Sequence, residues 1–276
     1  MSFKINSNIS AITANLHSNQ NSINQNKSLG ALASGSALNS ASNNAAGLGI
    51  ANQLSTQVSG LGQAIMNSNE TIGLIQVADG ALQGINENMQ RVRVLTLQAS
   101  NGTLNADDRA IIQKEIDSLL ESSDDIAKST SFNGIKLLDG TAGSSGDGTF
   151  TTQSGANEGD TQSVTIGDAT VATIVGAIDV TTAAGRSNAL DSIEGALDNI
   201  SGIQSDLGAA QNRLMSNIKN TAVTQTNIAF AESQIRDIDF ALESANFSKT
   251  NILSKTGIYA QVQANAAQAN VSNLFK

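Results

Sequence analysis

The chain has 276 residues, of which 39% are hydrophobic and only 3% aromatic, with 24 Gly and no Pro, Cys or Trp. That apolar share excludes wholesale disorder. The missing Pro excludes a collagen-like chain, and the missing Cys excludes disulfides, a thiol nucleophile and a Cys-ligated metal. The formal net charge is −9 with Lys and Arg scattered, which argues against a nucleic-acid surface, because phosphate binding needs clustered cations.

Asn, Gln and Ser together make up 82 residues, a composition suited to thin, elongated packing. The first eight residues contain no apolar run of signal-peptide length. No stretch approaches the ~18 apolar residues of a membrane span. The expectation is a soluble chain that does not insert in membranes and, if it leaves the cell, uses no ordinary cleaved signal.

In chain order, Ile9, Ile12, Leu16 and Ile23 recur at steps of 3, 4 and 7, the narrow seam of a coiled-coil helix. The pattern thins at 34–36 and 43–47, which reads as a hinge. A long helix is predicted from about Gln53 to Ala99, carrying Leu61, Ile65, Ile72, Ile75, Leu82, Ile85, Met89, Val92 and Leu95. It ends at Asn101-Gly102-Thr103. A third helix is predicted from about Asn105 to Ser129, with Asn105 and Asp107 as caps.

Residues 139–186 are rich in Gly and acidic side chains. Short β-branched runs at 150–152, 163–166 and 171–175 predict two to four strands there, in a small β-hairpin region. The last third is helical again. From Leu190 a seam steps through Ile193, Leu197, Ile200, Gln204, Leu207, Gln211, Leu214 and Ile218. It continues through Thr221, Gln225, Ile228, Glu232, Ile235, Asp239 and Leu242. Alternating steps of 4 and 3 over about 50 residues predict one helix roughly 75 Å long, which needs partners along its length. Both ends, 1–33 and 235–276, are seam-bearing, and the simplest geometry pairs them. Their leftover faces invite further copies of the same chain.

Little in this sequence carries catalytic chemistry. His17 is the only histidine, which excludes H-E-x-x-H and a His metal cluster; beside Leu16 and Ser18 it reads as an exposed or interfacial structural residue. Asp107-Asp108, Asp124-Asp125 and Asp237/Asp239 read as caps or solvated positions, since neighbouring helical residues do not share a face. No phosphate-binding or dinucleotide loop is present. No enzyme activity and no cofactor are expected. One basic cluster, Gln90-Arg91-Val92-Arg93-Val94-Leu95, reads as a solvated helix face beside the Val92/Leu95 seam.

Five segments resemble bacterial flagellin. Residues 43–51 (NNAAGLGIA) resemble that family's D-D-A-A-G-x-x-I-A, and residues 72–82 (IGLIQVADGAL) its I-S-L-x-Q-T-A-x-G-A-L. Residues 132–140 (FNGIKLLDG) resemble F-N-G-x-x-L-L-x-G, residues 207–214 (LGAAQNRL) L-G-A-x-Q-N-R-[FL], and residues 234–241 (QIRDIDFA) S-x-I-x-D-x-D-[FY]-A. The likeness covers about 1–140 and 187–276. It departs at Asn43-Asn44, where the family often has Asp-Asp, and in the missing Pro near the C-terminus. The middle is short, leaving room for little beyond the two inner layers, D0 and D1.

The resemblance implies a mainly α fold, an elongated antiparallel coiled-coil bundle with a small β-hairpin region. Residues 1–44 and 235–276 would form a discontinuous D0-like coiled coil, 45–140 and 187–234 a D1-like shell, and 141–186 an outer β/loop segment. The implied function is that of a structural subunit of the extracellular bacterial flagellar filament used for swimming; the alternative is the hook–filament junction protein of related architecture. Inner-core packing would fall to Ile5, Ile9, Ile12, Leu16, Ile23, Ile235, Leu242, Ile252, Leu253 and Leu274, with Ile235, Leu242, Leu253 and Leu274 meeting Ile9, Ile12 and Leu16. The implied partners are other copies of the chain, the filament cap and hook-junction proteins, an export chaperone and the flagellar type III export apparatus. An animal flagellin-sensing Toll-like receptor would read Gln90, Arg91, Leu95, Gln98 and Glu115.

Overall fold

Six helices and two short hairpins follow one another in the computed structural model, which describes residues 7–143 and 146–274. Ile5 and Phe275 lie outside the described residues, as do the side chains of Val271 and Leu274.

Helix α1 (Ile9–Ser34) starts where the Asn8 side chain accepts the Ala11 N–H, satisfying one of the free donors of the first turn. It stops at Gly35, whose φ of 67° a residue with a Cβ adopts only at a cost. Helix α2 (Ala45–Ala99) begins eight residues earlier than the periodicity suggests, because the Asn44 carboxamide accepts the Gly47 N–H and caps an Ala/Gly-rich first turn. With no Pro to interrupt it, α2 runs 55 residues. Helix α3 (Ala106–Ser129) opens with a capping box: Asn105 accepts from Asp108 N–H and the Asp108 carboxylate accepts from Asn105 N–H. Asp108, not Asp107, makes this cap.

Strands β1 (Ser131–Phe132) and β2 (Ile135–Lys136) form a tight hairpin whose two turn residues, Asn133 and Gly134, have φ of 51° and 79°. Positive φ at both positions is what a type I′ turn demands. Strands β3 (Thr149–Gln153) and β4 (Thr161–Thr165) pair antiparallel, Phe150 opposite Val164. The run 171–175 is not a strand. It forms the one-turn helix α4 (Val171–Ile174), because the Asp168 carboxylate accepts from the Thr170 N–H and the Thr173 hydroxyl and folds the chain back.

Helix α5 (Ala183–Arg236) follows the predicted seam, and every position of it from Ile193 to Ile235 is buried or half-buried. The seam does not continue into Leu242, however. The chain breaks at 237–239 and resumes as α6 (Phe240–Leu274), with Asp239 accepting the Leu242 N–H as its cap.

Two compact units arise. One comprises 1–56 with 227–276, the other 57–226. The second holds the hydrophobic core, built from Leu82, Ile85, Met89 and Val92 of α2, Ile116 of α3, and Ile193, Ile200, Leu207 and Leu214 of α5. Leu137, Leu138 and Ile166 close it from the hairpin side.

Candidate assembly surface

In the first unit α1 and α6 lie antiparallel. The Asn8 carboxamide donates to Ala264 O at 3.0 Å, Gly257 faces Ser18, and Ser36 bridges Asp237. Apart from Phe247, the residues turned into this pair are small or polar. On α1 they are Ala11, Ala14, Ser18, Asn21, Gln25 and Ser28; on α6 they are Phe247, Thr250, Ser254, Gly257, Gln261 and Ala264. Their steps of 3 and 4 form a coiled-coil seam with hardly any branched aliphatic in it.

The apolar residues named by the sequence sit elsewhere on the same helices. Ile9, Ile12, Leu16, Ile23, Leu242, Ile252 and Leu253 are all exposed, from 42% at Leu253 to 67% at Leu16, and Ile235 is half-buried. The pairing of Ile9, Ile12 and Leu16 with Ile235, Leu242 and Leu253 inside one chain is therefore not what the structure contains. One residue step turns a helix by about 100°. Ala11 thus faces the partner helix while Ile12 faces away from it. Tyr259, Val262 and Phe240 extend the outward apolar surface of α6.

The break between α5 and α6 is held by backbone. Ala37 N–H donates to Arg236 O at 2.8 Å, and Ile238 N–H donates to Gly35 O at 3.2 Å. The Ser36 hydroxyl also reaches Arg236 O, while the Arg236 guanidinium donates to the Asn52 carboxamide and pairs with Glu232. These residues were not legible as a set, since the partners stand some two hundred positions apart in sequence. The polar seam, by contrast, had a signal in the 3/4 spacing of Ala11, Ala14, Ser18, Asn21 and Gln25. It goes unread when only aliphatics are counted.

On α2 the Arg91 guanidinium donates to Glu115 on α3 at 2.8 Å, an exposed ion pair worth at most about 1 kcal/mol. Gln90 and Gln98 are exposed beside it, and Gln90 donates to Asn86. Leu95 is different: it is 2% exposed and belongs to the core, so its side chain is not on this surface. Val94 and Leu97 of α2 and Ile111 of α3 are the exposed apolar residues of this stretch.

His17 is exposed on α1. Asp124 pairs with Lys128, whose pKa is raised by that hydrogen bond and by the carboxylate charge. Asp237 accepts from the Ser233 hydroxyl. Among the described residues no cluster of three or more His, Asp or Glu could hold a metal, and no helix is long and apolar enough to cross a membrane.

A helical chain that closes one coiled coil with small residues and leaves aliphatic stripes outside has the construction of a polymer subunit. Residues 5–143 match the bacterial flagellin N-terminal helical region, and residues 190–275 match the bacterial flagellin C-terminal helical region. A flagellin of Halalkalibacterium halodurans is 38% identical over 99% of this chain and 99% of its own length. A flagellin of Bacillus subtilis is 37% identical over 99% of this chain and all of its own. Among solved structures, Bacillus cereus flagellin is 29% identical with a TM-score of 0.51, covering 60% of this chain and 94% of that one. The chain belongs to the bacterial flagellins. It is a structural subunit that assembles into the extracellular flagellar filament of swimming bacteria, and the full-length likeness to flagellins favours this over the junction-protein reading.

Proposed function

We propose that this flagellin polymerises through the outward apolar stripes of its terminal helices. Segments 1–44 and 235–276 form the innermost layer of the filament, 45–140 and 187–234 the shell around it, and 141–186 the exterior. The observation that carries this reading is the exposure of Ile9, Ile12, Leu16, Ile23, Leu242, Ile252 and Leu253 on helices whose mutual seam is already closed. Each such side chain contributes about 1.5–3 kcal/mol when fully covered. Seven of them supply on the order of 10 kcal/mol per subunit before the cost of association. Ile5 and Leu274 belong to the same packing set by sequence.

The finer partners rest on the family: a filament cap, hook-junction proteins, an export chaperone and the type III export apparatus. For an animal flagellin-sensing Toll-like receptor, the accessible face is Gln90, Arg91, Gln98 and Glu115, with Leu95 setting the position of α2 from within the core. We assign no catalytic role, since the family is structural and the sequence has a single histidine, His17.

Removal of 235–276 tests the reading. The truncated protein is expected to remain a soluble monomer that forms no filaments under the electron microscope, while a variant lacking most of 141–186 still assembles. Long filaments from the first variant would overturn the proposal. On the receptor face, monomer is expected to bind and Arg91→Ala to bind more weakly; equal titrations end that part of it.

A further inference from the structure

The sequence contains two Asn-Gly dipeptides, Asn101-Gly102 and Asn133-Gly134. In this dipeptide the carboxamide is most open to attack by the following backbone nitrogen, because glycine offers no side chain to obstruct the approach. The structure holds the two in different ways. Asn133 and Gly134 are the central pair of the β1–β2 turn, with φ of 51° and 79° and ladder pairs on either side, Phe132 with Ile135 and Ser131 with Lys136. Closing a five-membered ring there requires the backbone to rotate out of the turn that the ladder fixes.

Asn101-Gly102 lies in the connection between α2 and α3, and both residues are exposed. The Asn101 carboxamide oxygen accepts the Thr103 N–H at 3.3 Å. Such a turn folds the side chain back along its own backbone and so brings its carboxamide carbon toward the Gly102 nitrogen. The backbone carbonyl of Asn101, which belongs to the peptide bond with Gly102, accepts from Arg109 Nη2 at 3.1 Å and from Leu104 N–H at 3.3 Å. Arg109 is itself held in place, its Nε donating to Ala99 O at 3.0 Å. A guanidinium is always protonated. Its charge on that carbonyl favours the deprotonated form of the same amide, as a nearby cation favours any developing anion.

We infer that Asn101 is a self-modifying position, converted by its own backbone to aspartate and isoaspartate. Solvent base removes the Gly102 amide proton, and the nitrogen attacks the Asn101 carboxamide carbon. A carbon–nitrogen bond forms, the bond to the side-chain nitrogen breaks, and that nitrogen leaves as ammonia after taking a proton from water. Water then opens the cyclic imide at either carbonyl. The net change is one water consumed and one ammonia released, with no oxidation or reduction. Reopening at one carbonyl restores the ordinary backbone; at the other it routes the chain through the side chain. Either product adds one negative charge to a chain already at −9, on the residue whose carbonyl Arg109 holds.

The test is peptide mapping of the full folded chain by mass spectrometry during incubation in mildly alkaline buffer, following the gain of one mass unit at each Asn-Gly. Asn101 is expected to convert about tenfold faster than Asn133, a difference of about 1.4 kcal/mol in barrier. Denaturant should bring the two rates together. Arg109→Gln should slow Asn101 several-fold, on the order of 1 kcal/mol, and leave Asn133 unchanged. Equal rates in the folded chain overturn the inference, as does an unchanged or faster rate at Asn101 in Arg109→Gln. The comparison of the two sites needs no substitution, so it decides the matter even if that variant fails to fold.

Discussion

Ile200 and Leu16 are both branched aliphatics on long helices, each at a position where a 3/4 repeat predicts burial, yet their surroundings differ. Ile200 is fully enclosed, in one cluster with Val92 of α2 and Ile116 of α3. Leu16 stands in solvent, while its neighbours Ala14 and Ser18 face α6. The 57–226 unit buries its aliphatics within the chain and is stabilised by them. The terminal pair turns Ala, Ser, Thr, Asn, Gln and Gly, with Phe247, into its seam and presents its large aliphatics outward. Periodicity therefore locates an apolar stripe but does not say which molecule covers it.

Truncation at the two positions should separate the regions most widely. Ile200→Ala removes a fully buried side chain and leaves a cavity, with an expected loss of about 2–5 kcal/mol in monomer unfolding. Leu16→Ala is expected to change monomer stability by no more than about 0.5 kcal/mol. Chemical denaturation of the two variants checks this, and a large loss at Leu16 would mean that the terminal stripe is already covered in the monomer.

A smaller effect belongs to the entry of α3. Asn105→Ala deletes half of the capping box and should cost about 1 kcal/mol in the 57–226 unit, with no effect on the terminal pair. Hydrogen exchange resolved along the chain would show whether the loss is confined to that unit.

The smallest concerns Asp168. Burial alone pushes its carboxyl up, but the Thr173 hydroxyl and the Thr170 N–H and hydroxyl together outweigh it, and the net pKa is below the ordinary 3.8. A folded-state pKa below the unfolded one contributes stability that is fully present above that ordinary value and is lost as pH falls through the folded pKa. Asp168→Asn should therefore lower stability at neutral pH and flatten the acid limb of the pH profile. A parallel acid limb in the two proteins would remove Asp168 from the account.

Much of the fold was legible because local and global preferences agree. The α5 seam reads correctly from Ile193 to Ile235, and Asn105 marks the start of α3 by chemistry as well as by position. The failures have separate physical causes. The break at 237–239 is invisible because Asp239 and Leu242 keep the repeat in register. What stops the helix is hydrogen bonding from Ile238 to Gly35 and from Ala37 to Arg236, partners remote in sequence. The run 171–175 has strand composition, but Asp168 turns the chain into a helical turn before any partner strand is met. The Asn133-Gly134 hairpin was missed, although Asn-Gly between two short runs is a turn signal. The pairing of the terminal aliphatics within one chain was misassigned, because a seam of Ala11, Ser18 and Gly257 carries little weight on a hydrophobicity count. Leu95 was placed on the surface around Arg91, but its side chain lies in the core.

The claim that the terminal stripes are intermolecular is tested most directly by charge. Leu16→Asp and Ile252→Asp, made separately in the full chain, place a carboxylate on each stripe without touching the α1–α6 seam. Each variant is expected to match the parent in monomer unfolding and to form no filaments by electron microscopy under conditions where the parent forms long ones. Filaments of ordinary length from both variants would contradict the account.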